Sequence, residues 1–122
     1  MSVETKRVEV SETFLIENSI RKALWKQGEP ILSAALRRDR VLESIRILLT
    51  QGADAVSLLE RLSSAEEEYR RSIEELFKHL NMKVIRGVPE DVHSYTFEIE
   101  FSGRRFKVHV NPLIPSVLCF SD

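Results

Sequence analysis

Residues 95–110 read YTFEIEFSGRRFKVHV, and this stretch decides the fold class. Tyr95, Phe97, Ile99 and Phe101 alternate with Thr96, Glu98 and Glu100, and Phe106, Val108 and Val110 alternate with Arg105, Lys107 and His109. A period of two with one apolar face is the signature of a half-buried strand. Ser102-Gly103 lies between the two runs as a two-residue turn. Such a loop pairs residues whose numbers sum to 205 (102 + 103). Ile99 then faces Phe106, Phe97 faces Val108 and Tyr95 faces Val110, while on the other side Glu100 faces Arg105 and Glu98 faces Lys107. One register satisfies both faces, so the reading of a β-hairpin is internally consistent.

Working outward, Lys83–Arg86 reads as a short strand before the hairpin and Ser116–Phe120 as an edge strand after it, with a loop from Gly87 to Asp91. The period changes upstream. Residues Glu12–Gln27 carry the stripe Ile16, Ile20, Ala23, Leu24, with Ser11 as N-cap and Gly28 free to take the left-handed position behind the end. Pro30 opens a second helix running to Gln51. Its stripe is Ile31, Ala34, Ala35, Val41, Leu42, Ile45, Leu48 and Leu49. The connection at Gly28-Glu29 is so short that it predicts an antiparallel hairpin of these two helices. Asp54 caps a short helix over Ala55–Leu62. A further helix follows over Ala65–Leu80, opened by the Ser64-x-x-Glu67 capping box and closed by Asn81. The expectation is an α+β domain over residues 11–122: an N-terminal helical hairpin and two further helices packed on a small C-terminal antiparallel sheet. Residues 1–10 form a flexible arm or an edge strand.

Bulk counts set bounds. The chain has 122 residues, 18 Lys and Arg against 19 Asp and Glu, and one cysteine, Cys119, so no internal disulfide exists. No run reaches the roughly 18 apolar residues of a membrane span and no secretory leader is evident, which predicts a cytoplasmic protein. The 12 Arg outnumber 6 Lys and the 15 Glu outnumber 4 Asp, with five Asn and Gln in all. That is the composition that ion-pair networks favour at high temperature.

The order of the second, third and fourth helices, strand 83–86, loop 87–93 and strand 94–101 resembles the winged helix-turn-helix superfamily over residues 30–101. The stretch from Asp54 to Ser64 is similar to its second helix and turn. The resemblance implies a transcriptional regulator whose helix Ala65–Leu80 enters the major groove. The residues of that helix argue the other way: it opens with Glu66-Glu67-Glu68, and Glu66, Glu67 and Glu74 each stand four residues before a base.

No glycine-rich phosphate loop, paired-cysteine motif or histidine pair is present. His93 with Glu90 and Asp91 offers metal-ligand types, but their loose spacing in a loop reads as a solvated acidic turn. Cys119, between Leu118 and Phe120, reads as a buried structural thiol. Neither a catalytic residue, a metal nor a cofactor is expected. Two interaction readings remain. The apolar residues off the main stripes, Phe14, Trp25, Leu32, Leu36 and Ile47, predict a partner surface and hence a non-catalytic assembly module, a homodimer. The alternative is nucleic-acid binding, through a winged helix or through Arg21, Lys22, Lys26, Arg37, Arg38 and Arg40 on the first two helices.

Overall fold

The computed structural model describes residues 11–121; the arm or edge strand expected over 1–10 lies outside them. Three helices precede a four-stranded antiparallel sheet: α1 (Glu12–Gln27), α2 (Glu29–Thr50), α3 (Ala55–His79), β1 (Lys83–Pro89), β2 (Tyr95–Phe101), β3 (Arg104–Asn111) and β4 (Ser116–Ser121). The strands run as a meander in the order β1-β2-β3-β4. The β2–β3 register is the one the sequence dictates, with Tyr95 opposite Val110, Phe97 opposite Val108 and Ile99 opposite Phe106. Ser102 and Gly103 both have positive φ, 53° and 76°. That sense of turn matches the right-handed twist of the strands it joins.

One face of the sheet carries Tyr95, Phe97, Ile99, Phe106, Val108, Val110, Val117 and Cys119 into the core, where Ile16, Ile20 and Leu24 of α1 and Tyr69, Ile73, Leu76 and Phe77 of α3 meet them. Phe77 packs edge-on to Phe97 with ring centroids 4.9 Å apart. β1 continues past Arg86 to Pro89, which pairs with Tyr95. Proline is tolerated there because β1 is an edge strand, where a missing N–H costs no ladder bond. Gly87 lies directly over Phe97, and a Cβ at this position would strike its ring.

Two expectations about the helices fail. The first is the break at Ser63-Ser64: α3 is continuous from Ala55 to His79. No Gly or Pro lies inside it, and Leu58, Leu62, Ala65, Tyr69, Ile73 and Leu76 form one unbroken stripe, so a serine pair at mid-helix has nothing to cap. Ser64-x-x-Glu67 is only a coincidence of spacing. A helix-turn-helix needs a turn, and the winged arrangement therefore loses its second element.

The second is the pairing of the first two helices. α1 packs on β4 and α2 packs on α3, so the antiparallel hairpin is α2–α3, joined by residues 51–54, and not α1–α2. Gly28 does not take the left-handed position; its φ and ψ are −79° and −7°. The chain passes from α1 to α2 in a tightened right-handed turn. Glycine is needed because a Cβ at residue 28 would strike the carbonyl oxygen of Leu24. No described helix is long and apolar enough to cross a membrane.

Candidate interaction surface

α1 and α2 meet at Gly28, whose φ and ψ are −79° and −7°, and each helix has its own wheel. At 3.6 residues per turn, Phe14 and Trp25 fall within about 20° of each other on α1, and Leu32 and Ile47 fall within about 40° of the direction of Leu36 on α2. The buried residues Ile16, Ile20, Ala34, Ala35, Arg38 and Ile45 occupy the far side. On each helix the residues expected at a partner surface thus stand opposite the buried stripe. Each is well exposed: Trp25 85%, Leu36 57%, Ile47 52%, Phe14 50% and Leu32 43%. Single exposed leucines are ordinary, but a series including a tryptophan is not.

A second bare region lies at the far end of the α2–α3 hairpin, which the sequence did not single out. Leu42 and Leu49, placed on the inner stripe by spacing, are exposed, as are Val56 and Leu59 of α3. The sheet explains this. Only Ile31, Ala34 and Ala35 of α2, and α3 from Tyr69 onward, join the sheet-backed core. Beyond that point the hairpin closes on itself through Ile45, Leu58 and Ala65, and its other apolar side chains have nothing to meet.

Arg38 stands where the core gives way to this free hairpin. Its side chain is 2% exposed. It pairs with Glu66 Oε1 of α3 at 2.8 Å, donates to the carbonyl of Val92 and donates to His93 Nδ1 at 2.7 Å. Its guanidinium carbon lies 4.6 Å from the centre of the Tyr69 ring. Arginine is always a donor, so Nδ1 of His93 must carry a lone pair and the ring proton sits on Nε2. The Tyr69 hydroxyl donates to the carbonyl of His93 at 2.6 Å, and the Tyr95 hydroxyl donates to Glu66 Oε2 at 3.0 Å. Burial pushes the Tyr69 hydroxyl up to about 12 against the opposing pull of Arg38. Tyr95 is raised as well, by burial first and then by its bond to Glu66. This network clamps α2, α3 and the β1–β2 loop together. Within it Arg38 Nε has no partner. Sequence reasoning placed Arg38 on a basic surface. The signal for burial was present in its spacing, seven residues from Ile31, four from Ala34 and seven before Ile45.

The six basic residues do not make one patch. Arg38 is buried. Arg21 donates to the carbonyl of Val117 at 2.8 Å and lies 3.7 Å from Glu17. Arg37 is paired with Glu68. Lys22 and Lys26 line a shallow depression beside His79, and Arg40 is exposed on the outer stripe. On α3, Arg70 bridges Glu67 and Glu74 and Arg71 pairs with Glu67. Glu66 turns instead to Arg38.

The histidines separate. His93 belongs to the buried clamp. His109, opposite Thr96 in the register, has Nδ1 2.7 Å from Thr96 Oγ1 and 2.9 Å from Glu90 Oε1. It opens on a cavity of about 310 Å³ shared with Asp91, Ser94, Asn111, Val110 and Leu118. A carboxylate on Nδ1 leaves Nε2 as the basic atom, but Glu90 and His109 are both open to solvent. Among the described residues no side chain bonds to Nε2, and no three His, Cys, Asp or Glu side chains converge as a metal site. Asp91 accepts from the backbone N–H groups of His93 and Ser94. Bonds from Ser94 hold its carboxyl below the usual carboxylate range. Cys119 is buried, and burial, with Glu17 nearby, pushes its thiol up to about 11.

Comparison with known proteins finds no matching family model, no matching curated protein and no matching solved structure.

Proposed function

We propose that the chain is a non-catalytic assembly module of the cytoplasm that pairs with a second copy of itself through the outer sides of α1 and α2. The observation that carries this reading is the exposure of Phe14, Trp25, Leu32, Leu36 and Ile47 on the sides of α1 and α2 turned away from the core, with Trp25 at 85% exposure. Burying such side chains is worth roughly 1.5–3 kcal/mol each, and tryptophan is among the residues most enriched where partners contribute most binding energy. A second support is that, among the described residues, both edge strands of the sheet are protected. α1 covers β4 with Glu17 and Arg21, and β1 carries a register irregularity between Val84 and Arg86 and ends in Pro89. Bulges and proline are the devices that prevent edge pairing.

Sedimentation of the wild-type chain at micromolar concentration tests the reading. A dimer mass is expected, moving toward monomer in Leu36→Arg and Ile47→Arg. A wild-type monomer would overturn it. Salt-sensitive affinity for DNA or RNA, lost on Lys22→Glu with Arg40→Glu, would replace it with the nucleic-acid reading.

A further inference from the structure

Between Leu36 and Ile47 the outer stripe of α2 is interrupted by two exposed charged residues of opposite sign, Arg40 and Glu43. Among the described residues neither takes part in an ion pair. Two charges in the middle of an apolar line are a liability for burial unless the partner neutralises them. A two-fold interface brings the same patch to itself, so residue i meets residue j and j meets i. The question is which antiparallel register of α2 against its own copy satisfies both the apolar and the charged members.

Only one does so with the residues of α2. If facing residues have numbers summing to 83, Leu36 meets Ile47 of the second copy and Arg40 meets its Glu43. The two-fold repeats both contacts, and the polar pair Ser33 and Thr50 closes each end. A slip of one turn one way sets Leu36 against Glu43; a slip of one turn the other way sets Arg40 against Ile47. A slip of three turns, which would bring Trp25 against Ile47, sets Glu29 against Glu43. Each alternative places charge against an apolar side chain or like charge against like charge, and opposed like charges are the element that suppresses wrong pairings.

Resting on the reading that the chain self-associates, we infer that α2 pairs antiparallel with α2 of a second copy about a two-fold axis between Val41 and Leu42, with Arg40 bonded to the partner copy's Glu43 on both sides. Arg37, Asp39 and Arg46 flank the seam. Arg37 is occupied by Glu68 and Asp39 faces Arg38 and His93; Arg46 stands at the margin opposite the partner copy's occupied Arg37, so the attractive contacts that set the register are those of Arg40 and Glu43.

A charge exchange tests it. Arg40→Glu alone replaces two attractive contacts with two repulsive ones and should weaken the dimer about 10-fold or more. Arg40→Glu with Glu43→Arg restores the pairs in reversed sense and should return the dissociation constant to within about 3-fold of wild type. Arg40→Glu with Glu29→Arg restores the same net charge without the pairing and should not rescue. All three sites are exposed, and circular dichroism confirms that the variants fold. If wild type is dimeric but both double variants behave alike, the register is wrong while self-association stands. If wild type is monomeric throughout, the underlying reading fails and the register with it.

Discussion

Glu17 Oε2 accepts the backbone N–H of Cys119 at 2.8 Å. One turn along α1, Arg21 donates to the carbonyl of Val117 at 2.8 Å. Residues 117 and 119 alternate along β4, and these are the backbone groups that the strand turns away from β3. A helix at the edge of a sheet therefore does with two side chains what a fifth strand would do with its backbone.

Removing both side chains, as Glu17→Ala with Arg21→Ala, leaves an unsatisfied N–H and C=O on a strand bearing exposed Leu118 and Phe120. The expected loss is about 2 kcal/mol together with concentration-dependent aggregation. Chemical denaturation and light scattering measure the two effects. A double variant that stays stable and dispersed would show that the edge needs no cover.

Arg38→Met should destabilise the fold by about 3 kcal/mol, because Glu66, the Val92 carbonyl and the face of Tyr69 all lose their partner. Arg38→Lys should recover little, since one ammonium cannot span the Glu66, Val92 and His93 positions. Hydrogen exchange should report the damage locally. The amide of Glu90, bonded to the Ser94 carbonyl at 2.9 Å, should exchange faster in both variants.

The two tyrosines are the only ones in the chain, and both are raised. A phenol whose folded value lies above its unfolded value is favoured in its protonated form by folding. Its contribution is whole below pH 10 and is lost as pH rises from about 10 towards 12 for Tyr69. Tyrosinate absorbance should therefore stay low past pH 10 in the folded protein and rise together with loss of structure. A normal two-tyrosine titration centred near 10, with structure intact, would contradict the buried clamp.

Cys119 should resist alkylation. With the thiol raised to about 11 and the side chain buried, iodoacetamide at pH 8 should label the native protein far more slowly than the unfolded chain. Comparable rates would mean that β4 opens readily.

Ser64→Ala separates one long helix from two short ones. In a continuous α3 the change is neutral or stabilises by a few tenths of a kcal/mol, since alanine is the better helix former. At a true N-cap it would cost about 1 kcal/mol. A thermal melt decides between them.

The sheet was legible because its information is local. Alternation in β2 and β3, the Ser102-Gly103 turn and the opposed charges all fix the same register. Helix ends carrying specific chemistry were legible too: Ser11 and Asp54 cap as expected, and Asn81 takes a φ of 59°. What failed was information held between elements. Ser64-x-x-Glu67 satisfies a capping pattern, but a local motif cannot outvote an apolar stripe that runs straight through it. The Gly28 connection is short enough for a hairpin, and only the packing of α1 on β4 determines that the chain carries on. Leu42 and Leu49 have core spacing, yet the sheet ends before it reaches them. The exposure of Phe14, Trp25, Leu32, Leu36 and Ile47 was visible from their spacing off the main stripes. The burial of Arg38 was not, because a charged residue on an inner stripe was read by its type and not by its position.

The cover that α1 places over β4 also limits what kind of assembly the molecule can form. Strand addition is a growth reaction: each added copy presents a fresh edge, and nothing in its geometry ends the series. With one edge occupied by Glu17 and Arg21 and the other broken by its irregular register and Pro89, the fold is a chain-stopped monomer in the polymer chemist's sense. The contact proposed above, made through one helical face and related by a two-fold axis, uses the same patch on both partners and so closes on itself.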